Sequence, residues 1–188
     1  MMKYMARPMA ILFLISAVCA GLLGVVESIT REPTRIQEEL TASNGKRTVM
    51  AEASSFVEIE IEDGFVQNGI KVLSADYALD ANGDVMGYVI EVAPNGFGGG
   101  IGFMVGVDLE GAVTGISILS HSESPGLGAR IKEEWFLDQF VGEQSPIAVT
   151  KDGGVIESIT SSTITSRAVA NGVTAACDWV EEYVGGTN

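Results

Sequence analysis

This chain is poor in the groups that most often carry catalysis or bind nucleic acid. Of its 188 residues, two are cysteine, one is histidine and only eleven are lysine or arginine. Cys19 falls in an apolar stretch near the N-terminus and Cys177 near the other end, so no disulfide can form within the part that follows that stretch. A lone histidine, His121, cannot build a Cys/His zinc site; neither a haem-attachment motif nor a nucleophilic triad is present. Beyond Arg31 there are 8 basic residues (the 11 less Lys3, Arg7 and Arg31) against 24 acidic ones (the 25 less Glu27), a net charge of −16. Such an excess repels nucleic acid and anionic headgroups over about a Debye length, so neither is expected as a partner of the domain. The length suits one globular domain plus an anchor, and 46% hydrophobic composition is ample for one core.

Part of that apolar content is concentrated in Met9 to Val26, eighteen residues without a charge. Such a run predicts a transmembrane helix with little length to spare. Lys3 and Arg7 precede it and favour a cytoplasmic N-terminus, but Arg31 and Arg35 follow closely and weaken that signal. Basic start, apolar run and small residues are also the ingredients of a cleaved signal peptide. The retained anchor is the reading adopted. A lipoprotein site at Cys19 is disfavoured, because Ser16, Ala17 and Val18 lack the leucine-like residue and the small final residue usual there.

Residues 1–30 are therefore expected to form the anchor and 31–47 a stalk, with a short helix from Pro33 to Leu40 ended by a turn at Ser43-Asn-Gly-Lys46. Residues 48–188 are expected to form one domain. Phe56 to Ile61 alternates apolar and acidic residues as a half-buried strand does. Strand patterns continue at Val72–Leu79, Val85–Val92, Ile101–Val107 and Val113–Leu119, with Asn82-Gly83 and Glu110-Gly111 as hairpin turns. Pro94 to Gly100, too rich in glycine to be regular, reads as a structural bend at a sheet edge. Ser122 to Gly128 is irregular and leads into a helical stripe, Ala129 to Phe140, carried by Ile131, Trp135, Phe136 and Phe140. After a turn at Asp152-Gly-Gly154, Ile164 to Val184 reads as a long amphipathic helix with Val169, Val173, Ala176 and Val180 on one face. The fold class expected is α+β, an antiparallel sheet with packed helices.

Directly before that last helix lies Glu157-Ser-Ile-Thr-Ser-Ser-Thr-Ile-Thr-Ser166, dense in hydroxyls. Such a run can simply cap the helix. It can also hold an anion, because the free N–H groups and positive dipole end of a helix stabilise phosphate. The two readings are compatible.

Lys151-Asp-Gly-Gly154 followed by Ile159-Thr-Ser-Ser-Thr-Ile-Thr-Ser-Arg-Ala-Val169 resembles the FMN-binding motif of the G subunit of the Rnf electron-transport complex, shared with the C subunit of the sodium-pumping NADH:quinone oxidoreductase. His121-Ser-Glu-Ser-Pro-Gly-Leu-Gly128 resembles the same family's Glu-Thr-Pro-Gly-Leu-Gly loop, with Ser124 in place of threonine. The two matches occur in the family's order, and the chain's length is nearer that of the Rnf subunit. The resemblance implies FMN joined by a phosphoester to Thr163 by a separate transferase. The neighbouring hydroxyls of Thr160, Ser162 and Thr165 are alternative acceptors. Ser161 and Ser162 depart from the motif's Gly and Ala, and Glu157 from its Asp. Glycine at the first of these positions would permit positive φ or a close approach, which serine tolerates less easily.

By the same resemblance, the backbone around Ile164 to Arg167 would hold the phosphate, with charge from Lys151 or Arg167. The 122–128 loop would approach the flavin ring, with Gly126 and Pro125 allowing close backbone and Leu127 an apolar contact. Glu123 would either hydrogen-bond the ring or cap the helix that follows, and His121 is read as structural. The implied role is electron carrier in a membrane complex that couples ferredoxin oxidation to ion movement. Its partners would be other Rnf-type subunits bearing flavin, iron–sulfur or haem centres, with the domain on the extracytoplasmic side of the cell membrane. No independent catalytic activity is expected. The rival functions are a stand-alone extracytoplasmic flavoprotein, a flavin-free structural subunit and an anion-binding module.

Overall fold

The computed structural model describes residues 2–61 and 66–186. It divides into two compact units, Met1–Thr41 and Ala42–Asn188. The first holds most of helix α1, Met2–Val49. Its described side chains are exposed from 11 to 27, and an Arg35–Glu39 ion pair of 2.7 Å braces one later turn. Among the described residues no helix is long and apolar enough to cross a membrane. The side chains of Lys3, Arg7 and Arg31, which bear on membrane orientation, lie outside the described ones.

The turn expected at Ser43 to Lys46 is absent, and α1 runs through it to Val49. Packing within the second unit supplies the reason. A Cβ at Gly45 would lie 2.8 Å from Leu119 and 3.1 Å from the Met104 sulfur, and one at Gly106 would lie 2.5 Å from the Val49 carbonyl. Bare backbone on both elements lets the end of α1 lie directly on the sheet, and that burial outweighs the helix-breaking tendency of glycine. Thr114 donates to the Val49 carbonyl at 2.6 Å, and Lys46 reaches buried Asp76 at 2.5 Å.

The sheet contains β1 (Ser55–Ile59), β2 (Val66–Gln67), β3 (Ile70–Leu79), β4 (Val85–Ala93), β5 (Ile101–Asp108) and β6 (Val113–His121). All pairings are antiparallel in the order β1-β3-β4-β5-β6, with β2 also on β3. The expected strands and hairpins are present, and Gly83 and Gly111 take the positive φ that their turns require. The two-residue β2 has too short a pattern to be read from the sequence.

Alternation sends Ile90, Val92, Phe103, Val105 and Val107 to one face, where they meet Val169, Val173, Ala176 and Val180 of helix α3, Thr163–Gly186. Burying each valine contributes about 1.5 kcal/mol or more. Val89 and Met104 point to the other face, against Val49 and Met50. On that second face burial raises the Glu91 carboxyl above its usual range, although Ser74 and Lys46 pull the other way. The folded chain thus holds this proton more readily than the unfolded one. Its contribution to stability is full below the ordinary glutamate pKa and is lost as pH rises through the raised value. Urea unfolding followed from about pH 4 upward should show that slope in the native chain and a flatter one in Glu91→Gln.

The stripe at 129–140 is buried as expected at Ile131, Phe136 and Phe140, but the segment is not one helix. It comprises a 3-10 turn over Gly128–Lys132, helix α2 over Glu134–Leu137, and a second 3-10 turn over Asp138–Phe140. Glu133 between the first two pieces is extended, with ψ 133°, and its carboxylate binds Arg130 and the Trp135 indole. Trp135 lies exposed outside the stripe.

Candidate functional site

Helix α3 begins at Thr163, at the mouth of a cavity of about 400 Å³. The preceding loop is pinned from below by fully buried Ile156 and Ile159. Ser166 ties its end, accepting from the Ile159 N–H and donating to the Ser162 carbonyl, each at 3.0 Å. Between those anchors Ser161 takes φ +65°. This is the position where the resembled motif carries glycine, and the left-handed backbone is the physical reason glycine suits it. Serine there costs about 1–2 kcal/mol, partly offset by the freedom glycine would add to the unfolded chain. Ser161→Gly should therefore stabilise the domain by roughly 0.5–1 kcal/mol and raise Tm by up to about 4 °C in a thermal melt. An unchanged or lower Tm would contradict this account.

The four candidate acceptors are not equivalent. The Thr165 hydroxyl is buried and donates to Glu123 Oε2 at 3.0 Å, and Ser162 is buried. Thr160 is exposed and does not line the cavity. Thr163 lines it, half-exposed, and its Oγ1 accepts from Lys151 Nζ at 2.8 Å. Lys151 is carried on the 3-10 turn Thr150–Asp152, which places its ammonium beside the Thr163 hydroxyl. Arg167 is engaged elsewhere: its guanidinium binds both Asp152 oxygens at 2.6 Å and holds that carboxyl below its usual range. The backbone N–H groups of Thr163, Ile164 and Thr165 have no intrahelical carbonyl to meet and carry the positive end of the helix dipole.

The 122–128 loop forms the facing wall. Gly126 has φ +78°, and the Ser124 carbonyl accepts from Leu127 and Ala129, folding the loop back on itself. Glu123 does not cap the following turn, and it lines the cavity while largely buried. Its buried carboxylate accepts from the Gly98 N–H through Oε1 at 3.0 Å and from Thr165 through Oε2. A Cβ at Gly96 or Gly128 would come within 2.2 Å of it, so bare backbone closes around it on two sides. One side chain thus joins the 94–100 segment, the 122–128 loop and α3. Glu123→Ala would leave the part-buried Gly98 N–H and the buried Thr165 hydroxyl without their charged partner, at a cost of about 2 kcal/mol in chemical denaturation. Glu123→Gln can still accept from Gly98 and donate to Thr165, so it should cost under about 1 kcal/mol; equal losses would refute the clamp. His121 accepts from the Glu123 N–H at 3.2 Å, which fits its structural reading; burial, aided by Lys132, lowers its pKa.

Phe97 is the site residue that sequence reasoning missed. It lines the cavity while 70% exposed, together with Leu127 at 48% and Ile164 at 54%. The 94–100 stretch is not merely a bend. A tight loop closed by hydrogen bonds from Gly96 N–H to the Gly99 carbonyl and from Ile101 N–H to the Pro94 carbonyl holds the ring outward. An aromatic residue flanked by glycines was the available signal.

Exposed apolar walls, a helix N-terminus and one lysine on a hydroxyl make a cavity of the size typical for cofactors, suited to a flat ligand with a phosphate end. That class of site agrees with the family whose model matches residues 96–178, the FMN-binding domain. The G subunit of the ion-translocating oxidoreductase complex of Methanosarcina acetivorans is 30% identical, over 97% of this chain and 98% of its own length. Its counterpart in Shewanella piezotolerans is 32% identical, over 97% and 92%. The G subunit of the Na(+)-translocating ferredoxin:NAD(+) oxidoreductase complex of Acetobacterium woodii is 32% identical, over 87% and 85%. The chain belongs to this family of Rnf-type G subunits. Its fold is shared with the crystal structure of the C subunit of the Na(+)-translocating NADH-quinone reductase from Parabacteroides distasonis, with a TM-score of 0.53 and 18% identity over 79% of this chain and 94% of that one.

Proposed function

We propose that this chain is the electron-transfer subunit of a membrane-bound Rnf-type ion-translocating oxidoreductase complex and carries FMN through a phosphoester to Thr163. The observation that carries this reading is the position of the Thr163 hydroxyl, at the first residue of α3, on the cavity and 2.8 Å from Lys151 Nζ. The residues present fit the group. A phosphoester at Thr163 would keep one negative charge, which Lys151 and the free N–H groups of the first turn can hold. Phe97, Leu127 and Ile164 would supply apolar surface for the ring, and Glu123 would keep their loops in place. Bound FMN supplies the one- and two-electron chemistry, while the protein's part is to hold it, tune it and set its distance from the next centre.

The neighbouring centres are proposed to be flavin, iron–sulfur or haem groups of other subunits, and the chain has no separate catalytic activity in this reading. The uncharged run from Met9 to Val26 supports a single N-terminal membrane anchor within residues 1–30, and the resemblance to Rnf-type G subunits is the ground for placing the flavin domain on the extracytoplasmic side. Protein purified from its native membrane and analysed by intact and peptide mass spectrometry should carry an FMN adduct on the peptide containing Thr163. A wholly unmodified native peptide would sink covalent attachment and leave the flavin-free structural subunit as the better reading.

A further inference from the structure

A second concavity, of about 470 Å³, lies at the other end of α3. From Ile164 to Glu181 the helix axis advances about 25 Å, so this groove is separate from the flavin site. Val180 and buried Cys177 form its floor, Leu109 and Val184 its apolar rim, and Leu109 is 56% exposed. Burial pushes the Cys177 thiol up to about 12, so the floor stays uncharged. Glu110 and Glu181 also line the groove, and no lysine, arginine or histidine does. Among the described residues neither carboxylate has an ion-pair partner.

We propose that this groove is the docking site for a segment of another subunit of the complex, one that presents an apolar side chain flanked by lysine or arginine. The inference rests on the complex membership proposed above, and not on the flavin. An apolar pocket with a charged rim is the usual form of an interface anchor: burial supplies affinity, and the rim charges speed encounter and reject wrong partners. The two unpaired carboxylates choose a cationic occupant. A second copy of this chain is disfavoured by the same charges, since its domain is strongly acidic and would bring like charge to the rim. Docking here would leave the opposite end of α3 open toward a redox centre.

The test uses the full chain in its native membrane, with a photoreactive benzoylphenylalanine in place of Leu109. Expected is a cross-link to a peptide of another subunit in which an apolar residue has a lysine or arginine within about two positions. Glu110→Lys with Glu181→Lys should lower cross-link yield and co-purification at least tenfold, with the thermal melt unchanged. A cross-link to a second copy of this chain, a peptide without basic residues, indifference to charge reversal, or the absence of any cross-link or co-purifying subunit would each overturn the proposal. Peptide mass spectrometry of the same samples separates the two readings. Loss of the groove contact with flavin still on Thr163 overturns only the groove, whereas a charge-sensitive cross-link on unmodified protein overturns only the flavin assignment.

Discussion

Thr163→Val is expected to remove all covalent flavin from the chain and leave its fold intact. Valine matches threonine in shape, and the lost hydroxyl serves only the part-exposed contact with Lys151, so stability should change by under about 1 kcal/mol. The other hydroxyls should not take over. Thr165 is committed to Glu123, Ser162 is buried, and Thr160 lies outside the cavity. Thr165→Val gives the converse control: it removes a buried bond to a carboxylate, at about 1.5–3 kcal/mol, yet should retain the adduct on Thr163. Absorbance of denatured protein and peptide mapping read both variants. Flavin persisting on Thr163→Val would move the attachment to another residue, and a Thr165→Val protein that folds without flavin would point to Thr165 itself.

The largest loss of stability should follow from Lys46→Met. Asp76 is buried in the sheet face covered by the end of α1, and Lys46 is the cation that meets it. Methionine keeps the apolar stem and removes the charge, leaving an unpaired carboxylate under the helix. Breaking a buried pair from one side costs about 3–5 kcal/mol, and the partial exposure of Lys46 points to the lower end. Urea unfolding should show a reduced midpoint with unchanged slope. Adding Asp76→Asn should recover most of the loss, because the stranded charge is then gone. A single-variant loss below about 1 kcal/mol would show that water reaches Asp76 and that the pair contributes little.

Strands and hairpins were legible because their information is local: period-two alternation from Val72 to Leu119, punctuated by Asn82-Gly83 and Glu110-Gly111. The α3 face was legible for the same reason, at period 3.6. What failed depended on contacts distant in sequence. Asn44-Gly45 carries the local signature of a turn, and only packing against Leu119 and Met104 keeps it helical. The spacing of Ile131, Phe136 and Phe140 fits a helix, yet the extended Glu133 backbone breaks it without disturbing their burial. At the site, the hydroxyl run and the 122–128 loop could be singled out from residues and resemblance. Phe97 carried only a weak local signal, an aromatic residue between glycines, because its loop is set in place by Glu123 reaching a backbone N–H 25 positions away. The part of Ser161 was legible in outline: the motif's glycine implied an unusual backbone, and φ +65° supplies it.

The docking of the last turns of α1 on the sheet also sets where the chain can be cut. The compact unit begins at Ala42, and Val49, Met50 and the glycine at position 45 cover Val89 and Met104. A soluble fragment started at the first strand would expose that apolar face to water and strand Asp76 without its lysine. It would invite aggregation for reasons unrelated to flavin. A fragment beginning near residue 42 keeps the face closed, and is the smallest piece from which failure to take up flavin would say anything about Thr163.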